Sequence, residues 1–422
     1  MKKKLLVILG AGSSVARGMP SVSALDELMR QWAHRWASSY GFPDYYDVLE
    51  RNIAAYYQSG PSGPRPSLNF EKVLGDLLAL SHWVTPAPWG DTLRQVAANG
   101  QLPPDLPFPP VSPTGGEEPY GGTILLRNLL QHLLTELVRH VRSLCQSLGQ
   151  TDQAACQYST LFEGLRNAFD VGVYNLNYDT AALSACPGAR TGFGDNGVFD
   201  ADQVQGRAYW DFVYHLHGSV HHTLTGEFGN EIRWNKDLSG KFFDGHQGLA
   251  RDKGSEGRSF PKTTLIAGGF KLDQLLVEPF HSLHAALVRH VYAADAILIG
   301  GYGFADVHIN RALRSRLTTP GNRPPVLVLD WAGSRTDPMV LRYDPWAYEL
   351  GAALNTNGSF FFEPGHTSPP VLSELVARGA FEVSKPHRVA LWHGGFGEAA
   401  SRLDGILRWL GGQPDDALAS SS

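Results

Sequence analysis

Leu5-Leu6-Val7-Ile8-Leu9 runs directly into Gly10-Ala11-Gly12-Ser13-Ser14-Val15-Ala16-Arg17-Gly18-Met19-Pro20. Five apolar residues in a row, bounded by glycine, have the length and punctuation of a short buried strand. Two glycines and two small hydroxyl residues behind it have the form of a phosphate-cradling turn. Glycine lets the backbone come close to a pyrophosphate, and a following helix points N–H groups at the anion. Gly10, Ala11, Gly12, Ser13 and Ser14 are the expected cradle. The ordinary dinucleotide fingerprint places its third glycine three residues after the second, whereas the next glycine after Gly12 is Gly18.

Three further segments share this logic, since sites in α/β folds form at element ends. Val171-Gly172-Val173-Tyr174-Asn175-Leu176-Asn177-Tyr178-Asp179 reads as a strand with a polar end. Tyr214-His215-Leu216-His217-Gly218-Ser219 places two histidines at the end of another. Glu278-Pro279-Phe280 opens a helical stripe through Leu283, Leu287, His290 and Val291. That stripe leads into an apolar run, Ala296-Ile297-Leu298-Ile299, whose exit Gly300-Gly301-Tyr302-Gly303-Phe304-Ala305-Asp306 is again a nucleotide-contact pattern.

The pattern Gly-Ala-Gly-x-Ser-x-x-x-Gly-x-Pro, closed by Gly18, resembles the NAD loop of the sirtuin family. Leu176-Asn177-Tyr178-Asp179 resembles that family's Gln-Asn-Ile-Asp segment, and His217-Gly218 the pair carrying its catalytic histidine. The run to Asn310 is similar to Ile-Gly-Tyr-Ser-Phe-x-Asp-x-x-Ile-Asn of the prokaryotic, defence-associated branch of the family, with Gly303 where that branch has Ser. Asn69-Phe70-Glu71-Lys72-Val73-Leu74 looks like a short helical motif of the same branch.

The resemblance implies an NAD+ glycohydrolase that yields nicotinamide and ADP-ribose, with NAD as substrate. It further implies an antiphage role, draining cellular NAD+ once a partner activates the enzyme. On this basis Asn177 and His217 are the expected catalytic pair, with Asp179 beside them. Gly300, Gly301 and Tyr302 are expected to line the adenosine side, with Asp306 and Asn310 completing that loop. Asp330, an acid ending an apolar strand, is equally a ribose contact or a turn residue, and His215 is left without a role.

The chemistry suits these residue types. Nicotinamide leaves as a neutral ring from a cationic one and needs little protonation. The protein must orient the ribose, stabilise an oxocarbenium-like centre and position a nucleophile. Asn177 offers a carbonyl acceptor and an NH₂ donor. His217 can act as a general base on water or a ribose hydroxyl.

Protein-deacylating sirtuins hold a structural zinc with two Cys-x-x-Cys pairs. Here Cys145, Cys156 and Cys186 form no such pair, so that module is absent and no metal is expected. His215, His217, His221 and His222 cluster in sequence, yet a ligand set also needs a distant partner. The acidic-Phe-Arg segment that follows the loop's proline in deacylases is replaced by Ser21-Val22-Ser23. Two alternatives stay open: an NAD-dependent deacylase, and a regulatory subunit that binds NAD or ADP-ribose without turnover.

Composition is that of an ordinary globular protein, 43% hydrophobic and 18% charged, and a net charge of −5 gives no nucleic-acid signal. Met1 to Leu9 imitates a signal peptide, but its apolar core of about five residues is shorter than the seven to fifteen such a region needs. No stretch approaches the ~20 apolar residues of a membrane span. A cytoplasmic protein is expected.

The architecture that fits is a Rossmann-type three-layer α/β fold around a parallel sheet. Residues 1–330 form the NAD-binding domain, with a helical insertion over about 31–165. Residues 331–422 form a C-terminal extension with a disordered tail from 413. Strands are expected near 171–175, 211–217, 263–267, 295–300, 325–330, 360–362 and 388–392. A Pro/Gly-rich loop is expected at 101–122, an excursion over the site at 223–262, and a capping box at Ser23–Asp26. The wide stripe Leu126, Leu130, Leu133, Leu137, Val141 predicts a helix buried on more than one side. An oligomer interface is the alternative reading of the same stripe. A homo-oligomer is expected. Only about 90 residues follow Asp330, too few for an appended sensor domain, so a separate partner such as a HerA-type ATPase is expected.

Overall fold

The computed structural model describes residues 2–59, 68–83, 121–147, 153–206, 210–226, 231–239, 251–253, 259–261, 263–267, 271–318, 323–331, 345–356, 381–384 and 386–413. The expected strand at 360–362, most of the 101–122 loop and the tail beyond 413 lie outside them. The chain divides into two compact units. One comprises 1–19, 144–220 and 278–422, the other 20–143 and 221–277.

In the first unit, seven strands among the described residues form one sheet. They are β1 (Lys3–Leu9), β2 (Phe169–Asn175), β3 (Phe212–His215), β4 (Ala296–Gly300), β5 (Val326–Leu329), β6 (Glu382–Ser384) and β7 (Val389–Trp392), in the spatial order β6-β7-β5-β4-β1-β2-β3. All neighbours are parallel except the edge pair β6–β7. The order reverses at β1, which lies between β4 and β2. In a doubly wound sheet that is where the ligand crevice opens, at the carboxyl ends of the strands.

Continuous apolar strands follow from burial on both faces. Leu6 and Ile8 face helices Phe280–Ala293, Val307–Leu317 and Pro345–Ala353. Leu5, Val7 and Leu9 face helices Gln153–Ala168 and Leu403–Leu410. This is a three-layer α/β fold of Rossmann type.

The second unit carries helices Val22–Tyr40, Tyr45–Ser59 and Phe70–Trp83, most of helix Gly121–Ser147, and the hairpins 222–225/231–234 and 251–253/259–261. The first helix is capped by Ser21, whose Oγ accepts the Ala24 amide at 3.2 Å. The capping box expected at Ser23–Asp26 does not form, because the Asp26 carboxylate accepts the Phe70 amide at 2.6 Å. Gly41, at φ 68°, ends the helix. Residues 263–267 form no strand; the Thr263 hydroxyl donates to the Leu265 carbonyl and closes a local turn. The Leu126–Val141 stripe is buried within the chain, which removes it as a docking face. Among the described residues no helix is long and apolar enough to cross a membrane.

Candidate functional site

At the carboxyl ends of β1 and β4 the two glycine runs meet backbone to backbone. Gly10 donates its amide to the Gly300 carbonyl and Gly12 to the Gly301 carbonyl, each at 2.9 Å. No side chain fits this seam. A Cβ on Gly10 would stand 2.6 Å from the Gly301 oxygen, and one on Gly301, whose φ is +57°, would stand 2.1 Å from the Ser13 nitrogen. The amides of Ser13 and Ser14 donate back to Gly10 and Ala11, and the helix behind the turn is a single turn, Gly12–Val15. Gly10 to Ser14 thus form a rigid floor whose amides are largely engaged in the fold. The helix is short, and the amides of Gly12, Ser13 and Ser14, which the sequence offers to an anion, are bonded within the fold instead. Gly18, at φ +80°, closes the loop by donating to Val15.

Asn177 lies beyond the end of the adjacent strand β2, and its amide spans to that floor. Nδ2 contacts the Gly10 carbonyl at 2.9 Å, Ser14 Oγ at 3.0 Å and Ser13 Oγ at 3.2 Å. A backbone carbonyl only accepts, so the amide edge facing Gly10 must be the NH₂. Oδ1 is then the end left for a ligand, an acceptor suited to a ribose hydroxyl or a water. His215 Nδ1 lies 3.1 Å from the Asn177 carbonyl. By the same logic it carries the proton and donates, which makes His215 a positioning residue for Asn177.

Asp179 is buried and accepts the Ala181 amide at 2.8 Å, starting the short helix Ala181–Ala185. Burial pushes its pKa up, against the Ala181 amide, the Ser14 hydroxyl and the nearby Arg17 charge. Arg17 is itself buried, a cation at the glycine loop that sequence reasoning passed over.

His217 is buried just past β3, in a turn that Gly218 permits with φ +94°. The strand ends at His215, so the two histidines do not share a strand face. The ends of β2 and β3 are joined beyond their ladder by Leu216 N–H to the Asn175 carbonyl and Val220 N–H to the Tyr178 carbonyl, both 2.9 Å. His221 and His222 belong to the other unit, where both rings pack on Trp234.

The 301–310 loop is braced from within. Tyr302 donates its hydroxyl to Asn310 Oδ1 at 3.0 Å, Asn310 Nδ2 donates to the Phe304 carbonyl at 2.7 Å, and the Asp306 amide reaches the Tyr302 hydroxyl at 3.2 Å. Tyr302 and Asn310 therefore shape the loop. Gly300 packs under Phe396, and Gly303 is exposed. Asp306 comes close to His217 and His308, their ligand atoms lying within 4.8 Å of one another. Sequence reasoning missed His308; its only signal was its place two residues after Asp306 at a helix start. Asp330 follows β5, where its backbone bonds Trp392 and Gly395.

No family model and no curated protein matches the chain. Among solved structures it is similar to a triple mutant of a Sir2 homologue in complex with 2′-O-acetyl ADP-ribose. The two are 13% identical over 100% of this chain and 95% of the other, with a TM-score of 0.36. It is also similar to a mutant of a Sir2 homologue in complex with ADP-ribose, at 10% identity over 86% and 96%, with a TM-score of 0.33. At that level of similarity the fold assignment rests on the strand order and register of the chain itself.

Proposed function

We propose that the chain is an NAD+ glycohydrolase, and the orientation of Asn177 is the observation that carries this reading. Its NH₂ is held by the glycine floor, which leaves Oδ1 as the end of the amide available to a ligand at the carboxyl ends of the strands. There it can accept a hydroxyl of the nicotinamide ribose and fix that sugar for departure of the ring. His217, on the neighbouring strand end, takes the proton from water or a ribose hydroxyl as the new C1′–O bond forms. The carbon–nitrogen bond breaks with its electron pair going to the pyridinium, which leaves as neutral nicotinamide. Burial of both groups keeps bulk water from competing for their hydrogen bonds and strengthens their electrostatic effect.

Gly10 to Ser14 and Gly18 hold the pyrophosphate end in this reading. The Arg17 charge adds to the floor's attraction for an anion, and Gly300 to Asn310 border the adenosine. The wider proposal follows the family resemblance: an antiphage effector that depletes NAD+, assembled as a homo-oligomer and gated by a separate partner of HerA type.

The test is product analysis. Purified chain incubated with NAD+, alone and with its partner, releases nicotinamide and ADP-ribose in equal amounts. Release of nicotinamide only in the presence of an acetyl-lysine peptide, with acetyl-ADP-ribose as co-product, would establish a deacylase instead. Binding of NAD+ without any product would establish the regulatory-subunit alternative.

A further inference from the structure

His217, Asp306 and His308 come from two separate elements: the turn after β3 and the start of helix Val307–Leu317. Their ligand atoms lie within 4.8 Å of one another. Asp306 has extended backbone (φ −91°, ψ 100°) and its side chain does not cap the helix. The rings of His217 and His308 meet edge to face at 5.9 Å.

A third imidazole stands against this group. His284, on helix Phe280–Ala293, meets His308 edge to face at 4.7 Å. It hydrogen-bonds the Leu216 backbone, and its Nε2 is buried with no hydrogen-bond partner among the described residues. The bond to Leu216 therefore uses Nδ1–H, which leaves a lone pair on Nε2.

Two imidazoles and one carboxylate in mutual reach, with a third imidazole lone pair alongside, make a nitrogen-rich donor set. Hard cations such as Mg²⁺ and Ca²⁺ select oxygen, whereas Zn²⁺ takes histidine with a carboxylate and tolerates an open position. Asp306 and His308 are only half-buried. The set is unrelated to a four-cysteine module, since none of its members is a thiol.

We propose that His217, Asp306 and His308 bind one Zn²⁺-class ion, with His284 flanking His308, and that this ion inhibits the chain. Coordination takes the lone pair that His217 needs as a base. Occupancy stands on the geometry alone; the inhibition rests on the proposed role of His217.

The experiment separates the two. Full-length chain is titrated with Zn²⁺ by calorimetry, and with Co²⁺ by its visible absorption, in parallel with nicotinamide release. One ion per chain is expected, with no competition from Mg²⁺. His308→Gln and Asp306→Asn should each weaken binding by about 10-fold or more, with native circular dichroism retained. In the wild type, bound Zn²⁺ should suppress nicotinamide release at least tenfold. For His308→Gln, the ratio of release with Zn²⁺ to its own release without Zn²⁺ should exceed that of the wild type. Absence of a stoichiometric ion, or binding unchanged in both folded variants, overturns the site. A bound ion that leaves turnover intact or raises it overturns the inhibition while the site stands.

Discussion

Asn177 Nδ2 lies 2.9 Å from the carbonyl oxygen of Gly10, a residue 167 positions away in the chain. That bond joins the end of β2 to the end of β1 and settles which end of the amide the glycine floor holds. It makes the proposed catalytic amide part of the glycine floor, so its chemistry and its structural role are inseparable.

Asn177→Asp tests this coupling. A carboxylate has no proton to give the Gly10 carbonyl and faces its partial negative charge. Loss of that buried bond should cost about 1–3 kcal/mol. Thermal denaturation should show a lower Tm, and nicotinamide release should fall at least ~10²-fold. An unchanged Tm would mean that the bond does not hold the turn.

Gly301 and Gly303 form an internal control. Gly301→Ala puts a methyl into the Ser13 backbone at a positive φ, whereas a Cβ on Gly303 meets nothing within 4 Å. Gly301→Ala should cost about 2 kcal/mol or more, and Gly303→Ala should stay within about 0.5 kcal/mol. Urea denaturation of the two variants measures the difference, and equal midpoints would contradict the close packing of the two loops.

His290 gives the fold a pH dependence. Burial, reinforced by the nearby Arg289 and Lys4 charges, pulls its pKa from 6.5 down to about 4. The ring is buried on Phe212 and bonded to the Tyr174 hydroxyl at 2.8 Å. The unfolded chain takes up a proton that the native ring resists. Stability is therefore complete above about pH 6.5 and is lost as pH falls toward 4, on the order of 3–4 kcal/mol in all, at about 1.36 kcal/mol for each pH unit between 6.5 and 4. The Tm advantage of wild type over His290→Phe should narrow steadily from pH 7 to pH 4.5. A constant difference would show that the ring is not held neutral.

The sheet was legible because strands buried on both faces leave continuous apolar runs, as Leu5–Leu9 and Ala296–Ile299 do. The glycine turns at the strand ends were legible because the apolar runs Leu5–Leu9 and Ala296–Ile299 both exit into glycine. Other features depended on distant partners. Asp26 looked like a capping acid until Phe70, 44 residues on, supplied its amide. Thr263 to Ala267 has strand-like composition, yet the Thr263 hydroxyl closes a turn. Asn177 and His217 could be singled out by motif, but the direction of the Asn177 amide, the bracing role of His215 and the grouping of His308 with His217 come from packing between separate elements.

The most direct measurement of the central claim is single-turnover nicotinamide release by His217→Ala beside the wild type, with NAD+ affinity measured on the same samples. Affinity should stay within a few-fold of wild type while the rate falls by ~10²-fold or more, the scale of a positioned general base. A folded His217→Ala variant that binds NAD+ and cleaves it at the wild-type rate would contradict it.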